Sequence, residues 1–240
     1  MYGTNRMNTF GCFSSHVAGI TTFIYDELHE EYMLNPEFRM LEAFLKDSGK
    51  ELYARQIERM TGTNHERAGV YLAELVKQNV LLREKKGKQV FYRLNKNSEL
   101  ALKALAFAEM EIKRKFIKTN KDRFVVYDLI SQINRELRPD LYFVLLFGSV
   151  AREHQRKESD IDLLFVLSGN KKTKARLEEM IKKQEMLTGK KISFHPVTIK
   201  ELGKLWKREP VYKNIWDERI VFFGEENFWS YVFKEGNPYE

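Results

Sequence analysis

Cysteine is nearly absent: Cys12 stands alone in 240 residues. That excludes an intrachain disulfide framework and a cysteine-based zinc site. Long apolar runs are missing too. The longest clean one, Leu141–Phe147, has the length of a strand and falls far short of the ~18 consecutive apolar residues of a membrane span. The stretch from Val17 to Tyr25 is too short, too rich in threonine and too soon acidic for a signal peptide. There is no internal repeat and no low-complexity tract. These absences point to a cytoplasmic, globular protein without a membrane partner, and at roughly 100–200 residues per domain the length points to two units.

What is present is charge, unevenly placed. The chain carries a net +7, from 41 Lys and Arg against 34 Asp and Glu. Residues 36–119 hold 18 bases and 11 acids, whereas 120–240 are nearly balanced at 22 and 19, and 1–35 are acidic. A basic module beside a balanced one suggests a polyanion for the first and a different task for the second.

Residues 1–35 have no sustained period and read as an N-terminal extension, with one short helix in the acidic stretch Asp26–Glu31. From Pro36 the pattern sharpens. Phe38, Leu41, Phe44 and Leu45 follow at helical spacing. Leu52–Met60 reads as a second helix that stops at Gly62. Thr63, three residues before Glu66, forms a capping-box pattern for a third helix with Ala68, Leu72, Leu75 and Val76 on its buried face. Asn79 suits a left-handed cap. Val80–Glu84 and Gln89–Leu94 then read as two strands joined by the basic turn Lys85-Lys86-Gly87-Lys88.

Three helices and a hairpin, in the run ARQIERMTGTNHERAGVYLAELVKQNVLLREKKGKQVFYRL, resemble the winged helix-turn-helix family. The resemblance implies a DNA-binding domain over residues 36–96. Asn64, His65, Arg67 and Tyr71 lie off the third helix's buried face, as candidates to reach bases in a major groove. Lys85, Lys86 and Lys88 are candidates for phosphate contacts. Winged helices also serve as protein-docking modules, so both readings stand. Asn97 or Ser98 then caps a linker helix over 97–119, striped with Leu102, Leu105, Ile112 and Phe116. That stripe either packs within the chain or joins a second copy in a homodimer.

The remaining residues, 120–240, begin with a helix over Lys121–Leu137 whose core face is assigned to Phe124, Leu129, Ile130 and Ile133. The apolar strand Leu141–Phe147 follows. It runs into Gly148-Ser149, and after ten intervening residues Asp160-Ile161-Asp162 heads another apolar strand. Two residues apart on a strand, Asp160 and Asp162 leave one face while Ile161 and Leu163 turn to the core. Side by side they call for a cation, and Mg2+ (or Mn2+) accepts one or two carboxylates with water and phosphate oxygens. Gly148 and Ser149, opening the next helix, with Arg152 one turn along, suit an anion such as a phosphate group.

The segment LLFGSVAREHQRKESDIDLLFV resembles the signature of the DNA polymerase β-type nucleotidyltransferase superfamily, and its minimal prokaryotic members especially. The resemblance implies an α/β nucleotidyltransferase domain with a mixed sheet, making the whole chain α+β, and Mg2+-dependent transfer of a nucleoside monophosphate. It also implies a third carboxylate on a later strand. In Lys191–Val197 that face offers Ser193 and His195 instead, and His195 is either a structural residue or a catalytic helper. The tail from Lys190 to Gly224 resembles prokaryotic proteins joining a winged helix to a nucleotidyltransferase-like domain. That resemblance implies an alternative: a transcriptional regulator whose nucleotide domain is degenerate and acts as sensor or scaffold.

Overall fold

The computed structural model describes residues 36–46, 48–119, 121–152, 159–168 and 171–240; the extension expected at 1–35 lies outside them. Helix α1 (Pro36–Phe44) is wound as a 3-10 helix rather than the α-helix its spacing suggests. Three residues per turn stack Leu41 and Phe44 in one row, and both are buried. Leu52 and Tyr53, expected to open the second helix, instead form strand β1, paired antiparallel with Tyr92 and Phe91. Helix α2 (Ala54–Thr61) therefore starts two residues late, where the Gln56 side chain accepts the Tyr53 N–H at 3.0 Å. Gly62, at φ 64, closes it.

Helix α3 (His65–Lys77) is capped by Asn64, whose Oδ1 accepts the Arg67 N–H at 2.9 Å. The Thr63–Glu66 box does not form, because the helix begins one residue later and the Thr63 hydroxyl hydrogen-bonds Thr61 at 3.1 Å. Asn79, at φ 61, takes the left-handed position. Strands β2 (Leu81–Lys86) and β3 (Gln89–Leu94) complete an antiparallel sheet of order β1-β3-β2. The turn is only Gly87-Lys88, so Lys85 and Lys86 lie on the strand.

Helix α4 (Glu99–Thr119) buries Ala101, Ala104, Leu105, Ala108 and Phe116 inside the chain, against α1, a following helix, a closing strand and the C-terminal helix. Helix α5 (Lys121–Leu137) turns Val126, Leu129, Ile130, Ile133 and Leu137 inward. Phe124 is not among them; it is 56% exposed, because it sits about 240° round the helix from Ile130.

The second sheet is mixed, in the order β6-β5-β4-β7. It comprises β4 (Leu141–Phe147), β5 (Ile161–Leu167), β6 (Ile192–Thr198) and β7 (Ile220–Phe223). β4 runs antiparallel to β5 and to β7, and β6 runs parallel to β5. Helix α6 (Gly148–Ala151) follows β4 directly, α7 (Lys171–Thr188) links β5 to β6, and α8 (Ile199–Leu205) with α9 (Pro210–Glu218) links β6 to β7. Helix α10 (Glu225–Glu235), which has no counterpart among the expected elements, ends the fold.

β4 and β5 are covered on both faces, which is why they read as unbroken apolar runs. Val144, Leu146, Leu163 and Phe165 face α5 and α7. Phe143, Leu145, Leu164 and Val166 share a cluster with Trp206, Trp216, Phe228 and Trp229. That cluster continues without a break into Leu41, Phe44, Leu72 and Leu75 of the N-terminal helices. The two halves are tied by polar contacts as well. Trp216 Nε1 donates to the Lys46 carbonyl at 3.0 Å, and Arg219 donates to the Leu45 carbonyl at 2.7 Å. No helix among the described residues is long and apolar enough to cross a membrane.

Candidate functional site

The register of the central strands assembles the site. Phe147, the last residue of β4, lies opposite Asp162, and Asp162 lies beside Ser193 on β6. Gly148 therefore turns away from β4 where the Asp-x-Asp segment enters β5. Ile161 and Leu163 are buried, at 4% and 0% exposure, while Asp160 and Asp162 are both half-buried on the opposite face. Burial pushes the Asp162 carboxyl up from its ordinary value. The Ser193 hydrogen bond opposes that shift, and the Asp160 charge adds to it. Asp160 meets the Lys191 ammonium at 3.0 Å.

Gly148 has φ +74, and a Cβ added there would collide with the Asp162 carboxylate. The glycine is thus required twice, by its left-handed backbone and by the carboxylate beside it. Gly148→Ala is expected to cost about 1–3 kcal/mol and to push Asp162 out of place. A thermal melt together with a nucleotide titration checks this; an unchanged melting temperature would count against the crowding.

Arg152 is exposed, one turn beyond Gly148, and Ser149 is half-buried between them. His195 is exposed two residues along β6 from Ser193, with its ring 6.0 Å from that of Phe147. Glu218, at the end of α9, completes the group and was missed in the sequence. Its carboxylate accepts the Gly148 N–H at 3.1 Å and is paired with Arg152. No local motif announces it. It arrives because β7 pairs with β4, with Ile220 opposite Leu146, so the residues just before β7 sit beside the residues just after β4.

The donor chemistry suits a small hard cation. Two neighbouring carboxylates, one of them destabilised by burial, would be relieved by a divalent ion that draws its other ligands from water and phosphate. Among the described residues no three His, Cys, Asp or Glu form a ready cage.

On the N-terminal half the candidate base-reading residues divide. Asn64 commits its Oδ1 to the cap, His65 Nδ1 lies 2.7 Å from Glu58, and Tyr71 packs partly against the core. Arg67 is exposed. Lys86 pairs with Glu51, while Lys85 and Lys88 have no ion-pair partner among the described residues.

Residues 128–222, from α5 to β7, match the family model for the nucleotidyltransferase domain. The matched span holds every residue of the C-terminal site just described. Among solved structures, it is similar to a toxin–antitoxin crystal structure with AMP-PNP, at 18% identity over 45% of this chain and 83% of that chain, with a TM-score of 0.33. It is also similar to a mutant of the toxin–antitoxin MntA–HpeT, at 14% identity over the same shares, with a TM-score of 0.32. No curated protein matches the chain.

Proposed function

We propose that the protein binds an NTP with a divalent cation and transfers its nucleoside monophosphate to an acceptor hydroxyl, and that its N-terminal half is a DNA-binding winged helix. The observation that carries the first part is the meeting of Gly148-Ser149 with Asp160 and Asp162 at one end of the β4–β5 pair. Asp160 and Asp162 hold Mg2+ or Mn2+, which when bound offsets charge on the α-phosphate and the departing pyrophosphate. Gly148, Ser149 and Arg152 hold the phosphates, and His195 serves as the base for the acceptor's proton. The acceptor is a protein hydroxyl, an RNA end or a small molecule. Incubating the protein with labelled NTPs, Mg2+ and each acceptor class tests this. Label should pass to one class and vanish in Asp160→Ala.

A second reading is favoured by one observation: Ser193, not an acid, neighbours Asp162 on β6. In that reading the protein is a DNA-binding transcriptional regulator, and its nucleotide domain senses an effector or acts as a scaffold. Calorimetry showing nucleotide bound but never turned over would select it.

DNA contact is supported by the +7 of residues 36–119 and by the order of three helices and a hairpin. Lys85 and Lys88 supply the phosphate contacts; Lys86, already paired with Glu51, contributes less. Lys85→Glu with Lys88→Glu is expected to lower the slope of log K against log[salt] by about 2, roughly one for each phosphate that is no longer neutralised. Lys86→Glu should lower it by less. An unchanged slope in the double variant would remove the hairpin from the interface. Because the linker helix buries its main stripe inside the chain, a homodimer through it would use the remaining edge of Leu100, Phe107 and Met110.

A further inference from the structure

We propose that Glu218 is a built-in competitor for the phosphates: an internal carboxylate that occupies their donors at rest and leaves when a polyphosphate binds. This rests on the nucleotide reading above. The two groups that reading assigns to phosphate, the Gly148 N–H and the Arg152 guanidinium, are the two that Glu218 holds. A main-chain N–H and a planar guanidinium converging on one carboxylate form a donor set that suits phosphate oxygens equally well. Glu218 also lies near enough to Asp162 for its charge to be felt there. Asp162 and Glu218 repel one another, and Gly148 and Arg152 hold Glu218 against that repulsion. An incoming triphosphate would claim both donors and add its own negative charge, so the side chain is driven out.

The backbone at Glu218 cannot follow, because the next residue is clamped. Arg219 donates to the carbonyls of Trp216 and Leu45 and lies 3.2 Å from Glu109, with its side chain only 4% exposed. Displacement is therefore a side-chain rotation. The Glu218 side chain is 21% exposed and has water to turn into. The cation side of the site is arranged the same way, with the largely exposed Lys191 ammonium against Asp160. At rest Glu218 and Asp160 are thus each paired with a base of the site's own.

The test is calorimetric titration of the full chain with tripolyphosphate and with a non-hydrolysable ATP analogue, with and without Mg2+. Glu218→Gln keeps the side chain's shape and removes its charge. Asp217→Asn removes the same charge one residue away, from an exposed carboxylate bonded to Tyr239. Glu218→Gln is expected to bind tripolyphosphate roughly tenfold more tightly than the wild type, and Asp217→Asn within about twofold of it. Glu218→Ala should repeat the gain if the glutamine variant folds poorly. Equal affinity in Glu218→Gln and the wild type overturns the competitor. Weaker binding only with Mg2+ also overturns it, by making Glu218 a metal ligand. If the wild type and all variants bind neither probe, the nucleotide reading itself has failed.

Discussion

Arg219→Ala is expected to lower folding stability by about 3–5 kcal/mol, the cost of stranding a buried carboxylate. The guanidinium of Arg219 stacks on the Trp216 ring, 3.7 Å from its centroid, and reaches Glu109 of α4. Glu109 is 2% exposed. Burial pushes its carboxyl up from the ordinary range and pulls the guanidinium down from its own, while their mutual attraction opposes both shifts. Removing the arginine takes away that attraction, the stacking and the bond to the Leu45 carbonyl together.

At about 2–4 °C per kcal/mol for a chain of this size, the melting temperature should fall by roughly 10 °C. Urea unfolding followed by tryptophan fluorescence reads the effect directly, since Trp206, Trp216 and Trp229 are all buried in the same cluster. Replacing both Glu109 and Arg219 with methionine should regain most of the loss, because no charge is then stranded. A cost below about 1 kcal/mol for the single variant would mean the pair is not what ties α4 to α9.

On the proposed function, Asp162→Asn is expected to reduce nucleotidyl transfer by a factor on the order of 10³ while leaving the protein folded. Asparagine keeps the shape but supplies no negative charge for a cation. The stability should hold or rise slightly, since burial already disfavours the Asp162 carboxylate and the variant removes that burden. The paired outcome matters: lost transfer with an unchanged melt locates the effect in chemistry, and lost transfer with a large drop in melting temperature locates it in packing. A variant keeping more than about a tenth of wild-type transfer would exclude Asp162 from metal binding.

Much of the C-terminal half is legible in one dimension. Leu141–Phe147 reads as a central strand because it is apolar throughout, and it is one. The alternation Asp160, Ile161, Asp162, Leu163 names the two carboxylates and the two core residues without coordinates. What misleads is local pattern without register. Phe124 has the chemistry of a core residue but sits off the stripe set by Val126, Ile130 and Ile133. Leu52 and Tyr53 resemble the start of a helix, yet their backbone groups find partners on β3 first. Thr63 and Glu66 have the spacing of a cap, but Asn64 is a residue closer to the helix and takes the role.

The sequence by itself determined the carboxylate pair at the head of β5, the glycine turn beside it and the basic character of the N-terminal half. Each depends only on residue type and short spacing, which survive in a linear string. Only the tertiary structure decided the rest of the site. Glu218 stands 70 residues from Gly148, and nothing short of the β4–β7 pairing brings them together. Arg219 and Glu109 are 110 residues apart and meet only in a core that α4 and α9 share. Contacts at that separation are set by which sheet edges pair and which helix faces pack, and neither is written in local periodicity.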